Sequence, residues 1–297
     1  MSGPSQEALG ELDAKVLHAL ATGDESGLRV LGYGEISTVV AVTVPEGTFA
    51  CKRLPPFDSR ARFDAYASVF DAYVRSLRQG GVQAVESELH TLENVDGRIS
   101  AYCVQPILDP KELLPNHLRE CTEAEARAIF RKIVDAIDGA VTPRLGLDGQ
   151  LSNWTWRAGK LGYLDLTTPL VRDEKGVDAL DLDLFLASLP WALRGLVKWL
   201  FLKEIIDKYF VPRGIVLDLL GNLYKEQLEK LIPAFLEELG DRYAPALAVK
   251  EVRSYYQDDA RTWGFLLAAR RADRFWQRKV RRRTYPFLLP GPIARHA

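Results

Sequence analysis

The chain has 297 residues, of which 47% are apolar and 27% charged, enough to build one large domain or two coupled lobes and too apolar for wholesale disorder. Its 39 Lys and Arg against 40 Asp and Glu leave a formal net charge of -1, which excludes a global electrostatic pull toward nucleic acid or an anionic membrane. Cys51, Cys103 and Cys121 are odd in number and lack metal-ligand spacing, so reduced, buried thiols and a cytoplasmic home are expected rather than a disulfide framework.

In chain order, Met1-Ser2-Gly3-Pro4 lacks the charged-then-apolar layout of a signal peptide. Leu9, Leu12, Val16 and Leu20 predict an amphipathic helix over 6–22 that Gly23 stops, within an N-terminal extension of residues 1–28. Arg29 to Val44 and Thr48 to Leu54 read as strands around the turn Pro45-Glu46-Gly47. Asp58 is placed to cap a helix to about Leu77, with Phe63, Tyr66, Phe70, Tyr73 and Leu77 as its apolar stripe and Gly80-Gly81 at its end. Strands follow near Val85 to Leu92 and Ile99 to Gln105, joined by Asp96-Gly97. Pro106 to Pro115 reads as a linker between a lobe of residues 29–108 and a helical lobe of residues 109–297. Thr122 and Glu125 form a capping box for a helix to about Gly139. A small hairpin spans Trp154 to Leu166, and Asp178 to Arg283 reads as helical. The apolar run Leu182 to Leu202 contains Pro190, Arg194 and Lys198 and fails as a membrane span.

Four groups on this framework suit phosphate chemistry. Gly32-Tyr33-Gly34-Glu35-Ile36-Ser37 joins two strands, where glycines let backbone N–H groups approach phosphates. Lys52 lies on the next strand among small and apolar neighbours and can neutralise phosphate charge from a cleft. Asp148 and Asn153 stand five residues apart in Leu147-Asp148-Gly149-Gln150-Leu151-Ser152-Asn153, and Asp165 follows the small hairpin. An Asn and an Asp are hard oxygen ligands for Mg²⁺. Each group alone also fits an ordinary origin: a hairpin glycine, a solvated lysine, a turn-forming Asx residue.

Their joint order resembles the protein-kinase-like superfamily, and its aminoglycoside/choline phosphotransferase (small-molecule kinase) branch more than protein kinases, because Thr167-Thr168-Pro169 leads to no Ala-Pro-Glu closing motif. The resemblance spans roughly Leu31 to Thr168. It implies an α+β, two-lobed kinase-like fold with a strand-rich N-terminal lobe and a mostly helical C-terminal lobe. It implies ATP and Mg²⁺ as cofactors and transfer to a hydroxyl of a small molecule. Gly32, Gly34 and Ser37 would cover the phosphates, Lys52 would hold them, and Gln105 and Ile107 would lie in the hinge against adenine. Asp148 would be the catalytic base, and Asn153 and Asp165 the metal ligands. Three positions depart from the pattern. Ser37 stands for the third loop glycine, Gly146 for the histidine two residues before the catalytic aspartate, and the Asp58–Leu77 helix has no glutamate to pair with Lys52. Asp64, Asp71, Glu86 and Glu88 are the carboxylates that could replace it. The alternative is a pseudokinase that binds nucleotide or a partner with little transfer.

The basic cluster Arg270, Arg271, Arg274, Arg278, Lys279 and Arg281 to Arg283 fits nucleic acid, anionic lipid or a phosphorylated substrate, but the balanced net charge favours a solvated helix face and argues against nucleic acid. His18, His90, His117 and His296 show no metal-site spacing.

Overall fold

The computed structural model describes residues 3–34, 36–181, 183–186, 190, 194–195 and 206–291. Most of the apolar run at 182–202, with Trp191 and Trp199, lies outside them, as do Glu35 and His296.

The N-terminal half is a five-stranded antiparallel sheet in the order β1-β2-β3-β5-β4, formed by β1 (Arg29–Tyr33), β2 (Thr38–Val44), β3 (Gly47–Arg53), β4 (Glu88–Glu93) and β5 (Ile99–Pro106). Helix α2 (Arg60–Gln79) is inserted between β3 and β4. The cap of α2 is Ser59, whose hydroxyl accepts from the Arg62 amide at 3.3 Å; Asp58, the expected cap, lies one residue earlier and pairs with Arg62 through its side chain. Alternation along β3 divides its side chains between two layers. Phe49 and Cys51 join Val40, Tyr102 and Val104 against α1 (Gln6–Thr22), which contributes Leu9, Leu12, Val16 and Leu20. Asp13 of α1 is buried there and accepts from Tyr102 Oη at 2.6 Å, Ser100 Oγ at 3.1 Å and Arg53 Nε at 3.4 Å, which satisfies a charge that burial would otherwise penalise. Lys52, with the opposite parity, faces the other layer.

That second layer is continuous with the helical half. The α2 stripe Phe63, Tyr66, Phe70, Tyr73 and Leu77 shares one core with Ile129, Phe130, Ile133, Val134 and Ile137 of α4 (Glu123–Ala140). The segment expected as a linker, 106–115, holds a short 3-10 turn at Pro110–Glu112 and runs into α3 (Leu114–Glu120), whose Leu114, Pro115 and Leu118 are buried on this core. The hairpin β6 (Trp154–Arg157) and β7 (Lys160–Tyr163) is tied back to the sheet half. The Val85 and Tyr163 amides donate to the carbonyls of Tyr163 and Gln83, both at 2.9 Å. Past a short helical turn α5 (Asp183–Leu186), the described helices are α6 (Pro212–Lys225), α7 (Ile232–Leu239) and α8 (Val249–Phe275), with a wider π-helical turn at Trp276–Val280. The architecture is α+β, a strand-rich N-terminal lobe and a mostly helical C-terminal lobe, as the kinase-like resemblance implies.

The basic cluster has structural work. Arg270 is buried over the Phe287 ring, Arg271 donates to the carbonyls of Pro290 and Gly291, and Arg278 donates to those of Ala19 and Leu20 at the end of α1. The tail thereby returns to the N-terminal lobe. There Tyr285, Phe287 and Leu289 bury themselves with Ile36 of the glycine loop, and Leu288 joins the α1 layer. No helix among the described residues is long and apolar enough to cross a membrane. Cys51 and Cys103 are free and buried, as expected, whereas free Cys121 retains partial exposure.

Candidate active site

Lys52 lies opposite Val39 on β2 and Cys103 on β5, and so sits well inside the sheet. From there its Nζ reaches Asp165 Oδ1 at 2.8 Å, across 113 residues of sequence. Asp165 Oδ1 also accepts from the Thr167 hydroxyl at 3.1 Å and amide at 3.3 Å. Burial alone would raise the Asp165 carboxyl; the Lys52 charge and these hydrogen bonds outweigh it and hold the group below the usual carboxylate range.

The lysine is thus partnered without a glutamate on α2. Asp64 and Asp71 are exposed on the outer side of that helix, and Glu88 sits 3.4 Å from His90. What α2 offers the site is Tyr66, whose hydroxyl donates to the Thr167 carbonyl at 3.0 Å and fixes the turn that follows Asp165.

Asp148 and Asn153 are joined by their own loop. Asn153 Nδ2 donates to the Asp148 carbonyl at 3.2 Å, which directs the amide oxygen elsewhere. The Tyr163 hydroxyl donates to the same carbonyl at 3.1 Å, Gln150 N donates to Asp148 Oδ1 at 3.0 Å, and Leu164 N donates to the Asn153 carbonyl at 2.8 Å. The last bond sets the metal-ligand candidate beside the strand that ends at Asp165. Trp154, 1% exposed, packs directly behind Asn153, with its indole N–H on the Gly149 carbonyl at 3.3 Å.

Gly146, where a histidine was expected to brace the loop, has no space for any side chain. A Cβ there would lie 2.8 Å from the Tyr209 carbonyl oxygen and 3.0 Å from Leu170 Cβ. Backbone bonds do the bracing instead: Gly146 N donates to Leu170 O at 2.8 Å and Leu147 N to Tyr209 O at 3.0 Å. Gly149 is equally confined, with a Cβ falling 2.3 Å from Ile215 Cγ2.

Burial and the negative charges of Asp218 and Asp165 push the Asp148 carboxyl up to about 7. Asp218 was not anticipated. It is buried in α6 between Ile215, Val216, Leu219 and Leu220, and accepts from Lys208 Nζ at 3.2 Å and from the Tyr255 hydroxyl. A carboxylate inside an otherwise apolar helical run was the sequence signal for it. Beside this group, Gln150, Asn222, Tyr255, Asp259 and Trp263 line a small, partly open cleft of about 30 Å³.

The remaining candidates are less closely assembled. Gly34 N donates to Ser37 O at 2.9 Å, making the turn of the glycine loop, while Ser37 itself is buried. Gly32 meets nothing within 4 Å of a Cβ position. Gln105 donates from Nε2 to Ser87 Oγ and to the Leu164 carbonyl, both at 2.9 Å, so it bridges the two lobes next to Asp165. The Ile107 amide is turned to the Thr48 carbonyl at 3.4 Å. Away from this cleft, His117, Cys121 and Glu125 bring their ligand atoms within 4.8 Å of one another at the junction of α3 and α4, a grouping not expected from the sequence. His117 Nε2 and Glu125 Oε1 already satisfy each other at 3.0 Å.

The family model of DUF6206, a family of unknown function, matches residues 11–274, from within α1 to nearly the end of α8. The chain belongs to the DUF6206 family. No curated protein matches this DUF6206 chain in sequence. Among solved structures it is similar to the Mycobacterium tuberculosis PknI kinase domain at 16% identity, covering 71% of this chain and 94% of that one, with a TM-score of 0.32.

Proposed function

We propose that this DUF6206 protein is an ATP- and Mg²⁺-dependent phosphotransferase acting on a hydroxyl of a small molecule. The observation that carries the reading is the Lys52–Asp165 ion pair, which joins the middle of the sheet to the end of the small hairpin and sets a cation beside a carboxylate at the mouth between the lobes.

The donor set suits the group it would hold. Asp165 offers a carboxylate kept ionised, and Asn153 an amide oxygen freed by the engagement of its Nδ2. Two hard oxygen donors are a fitting protein share for Mg²⁺, which keeps several waters and phosphate oxygens of its own. When bound, the ion neutralises charge on the phosphates. Lys52 would hold the phosphate oxygens from the opposite side, and the Gly32–Ser37 turn would present backbone N–H groups above them. Asp148, partly open to the cleft, would accept the acceptor hydroxyl's proton as the new O–P bond forms and the bond to the ADP oxygen breaks. A carboxyl near 7 is matched to that task at neutral pH. The acceptor would lie on the side of Gln150 and Asn222. The segment after Asp165 is held to α2 by the Arg62–Asp181 ion pair.

The pseudokinase reading predicts nucleotide binding without transfer. Calorimetric titration of ATP with and without Mg²⁺, on wild type and Asp165→Ala, tests the site first. Mg²⁺-dependent binding by the wild type alone supports it, and no nucleotide binding under either condition overturns it. ATP consumption across a panel of hydroxylated acceptors then separates transferase from pseudokinase.

A further inference from the structure

Helix α8 is apolar on two faces. Val252, Tyr256 and Leu266 turn inward. At 100° per residue, Phe265, Ala268, Ala272, Phe275 and Trp276 share a separate arc of about 100°, and all five are exposed. Phe265 and Phe275 are 63% and 64% exposed, Trp276 48%, and Val280 on the following turn 52%. Among the described residues this stripe, about 16 Å long from Phe265 to Trp276, faces water, an arrangement that marks an interaction surface.

The stripe ends in a positive pole. From Arg274 to the C-terminus the sequence carries seven Lys and Arg and no Asp or Glu, although the whole chain is balanced at -1. Arg278 is used internally at the end of α1, but Lys279, Arg281, Arg282 and Arg283 are exposed around the last turn.

We infer that this face is a docking surface for an anionic lipid bilayer, with Phe265, Phe275, Trp276 and Val280 entering the headgroup–acyl boundary and Lys279 and Arg281 to Arg283 meeting the phosphates. The combination selects the occupant. A nucleic acid would neutralise the arginines and leave the apolar stripe between Phe265 and Ala272 uncovered. A bilayer supplies negative charge and an apolar layer side by side, which is the requirement of an aromatic and basic interfacial helix. The inference is independent of any transferase activity.

The test is vesicle flotation of the full chain with phosphatidylcholine alone and with phosphatidylcholine and phosphatidylglycerol at three to one, in 0.1 and 0.5 M NaCl. The expected result is selective binding to the anionic vesicles, weakened by salt, with a blue shift of tryptophan emission. Substitution Arg281→Gln/Arg282→Asn/Arg283→Gln should lower partitioning on the order of 100-fold, about fivefold per charge. Asparagine is chosen at 282 because φ there is 51°. Phe265→Ser/Trp276→Ser should lower it on the order of tenfold with unchanged thermal unfolding, since both side chains face solvent. Equal binding to neutral and anionic vesicles, no binding to either, or wild-type binding by both variants overturns the inference. So does a dimer that Trp276→Ser dissociates, or binding confined to DNA or RNA.

Discussion

The two walls of the cleft are built to different standards. On the floor, Asp148, Asn153 and Asp165 are fixed by at least seven hydrogen bonds from Gln150, Asn153, Tyr163, Leu164, Thr167 and Lys52, over a buried tryptophan and between two glycines that tolerate no Cβ. On the roof, the glycine loop is a single turn with Gly32 in open space, steadied by a contact from the chain's distant tail. Where charge must be held at fixed positions, the protein spends buried polar groups and excludes side chains. Where backbone only has to close over a ligand, it leaves slack. On the proposed function, the floor would carry catalysis and the roof would cover the nucleotide.

If that division is right, floor substitutions should cost far more than roof substitutions. Asp165→Ala should abolish Mg²⁺-dependent nucleotide binding and leave Lys52 without its partner; calorimetry reads both. Asp148→Asn should lower kcat by roughly 10²–10⁴-fold with nucleotide affinity nearly unchanged, checked by steady-state kinetics beside a titration. Lys52→Met should cost on the order of 100-fold in kcat/KM, an electrostatic loss in a site the fold keeps intact. The pH profile sharpens the picture. Asp148 must be ionised to take a proton, so kcat should rise with pH around a midpoint near 7. Asp218→Asn removes a negative charge that disfavours ionised Asp148, so the midpoint should move to lower pH; a midpoint moving upward contradicts the assignment. At the small end, Gly32→Ala should change KM for ATP by less than about threefold, because φ is not positive and no atom lies near the new methyl.

The sequence carried the elements because local rules were obeyed. Gly23 stops α1 with φ 87°, Asp96-Gly97 turns between β4 and β5, and Thr122 caps α4. It singled out Lys52, Asp148, Asn153 and Asp165, each at an element end or a strand position with a sharp local signature, and the structure joins Lys52 to Asp165 and Asn153 to Asp148. What it did not carry was pairing at long range. The missing α2 glutamate looked like a defect until Asp165 proved to take the lysine and Tyr66 to brace the neighbouring turn. Gly146 looked like a lost support until Tyr209 and Leu170 were seen to fill its place. Asp218 and Lys208 stayed unread because an ion pair ten residues apart across a helix start has no local period. The arginine cluster looked like one solvated face and separates into buried, capping and exposed members only when the tail is in place.

That tail also ties the two lobes together. The chain passes between them once after β5 and again after α8, and the second crossing ends on Ile36 at the other side of the sheet. With the core that α2 shares with α4 and the backbone bonds between Val85 and Tyr163, the tail makes one more tie between the lobes, and it is the tie that bears on the glycine loop itself. A change in how the last turn of the long helix sits would be felt directly at Ile36, at the far side of the sheet from the first crossing.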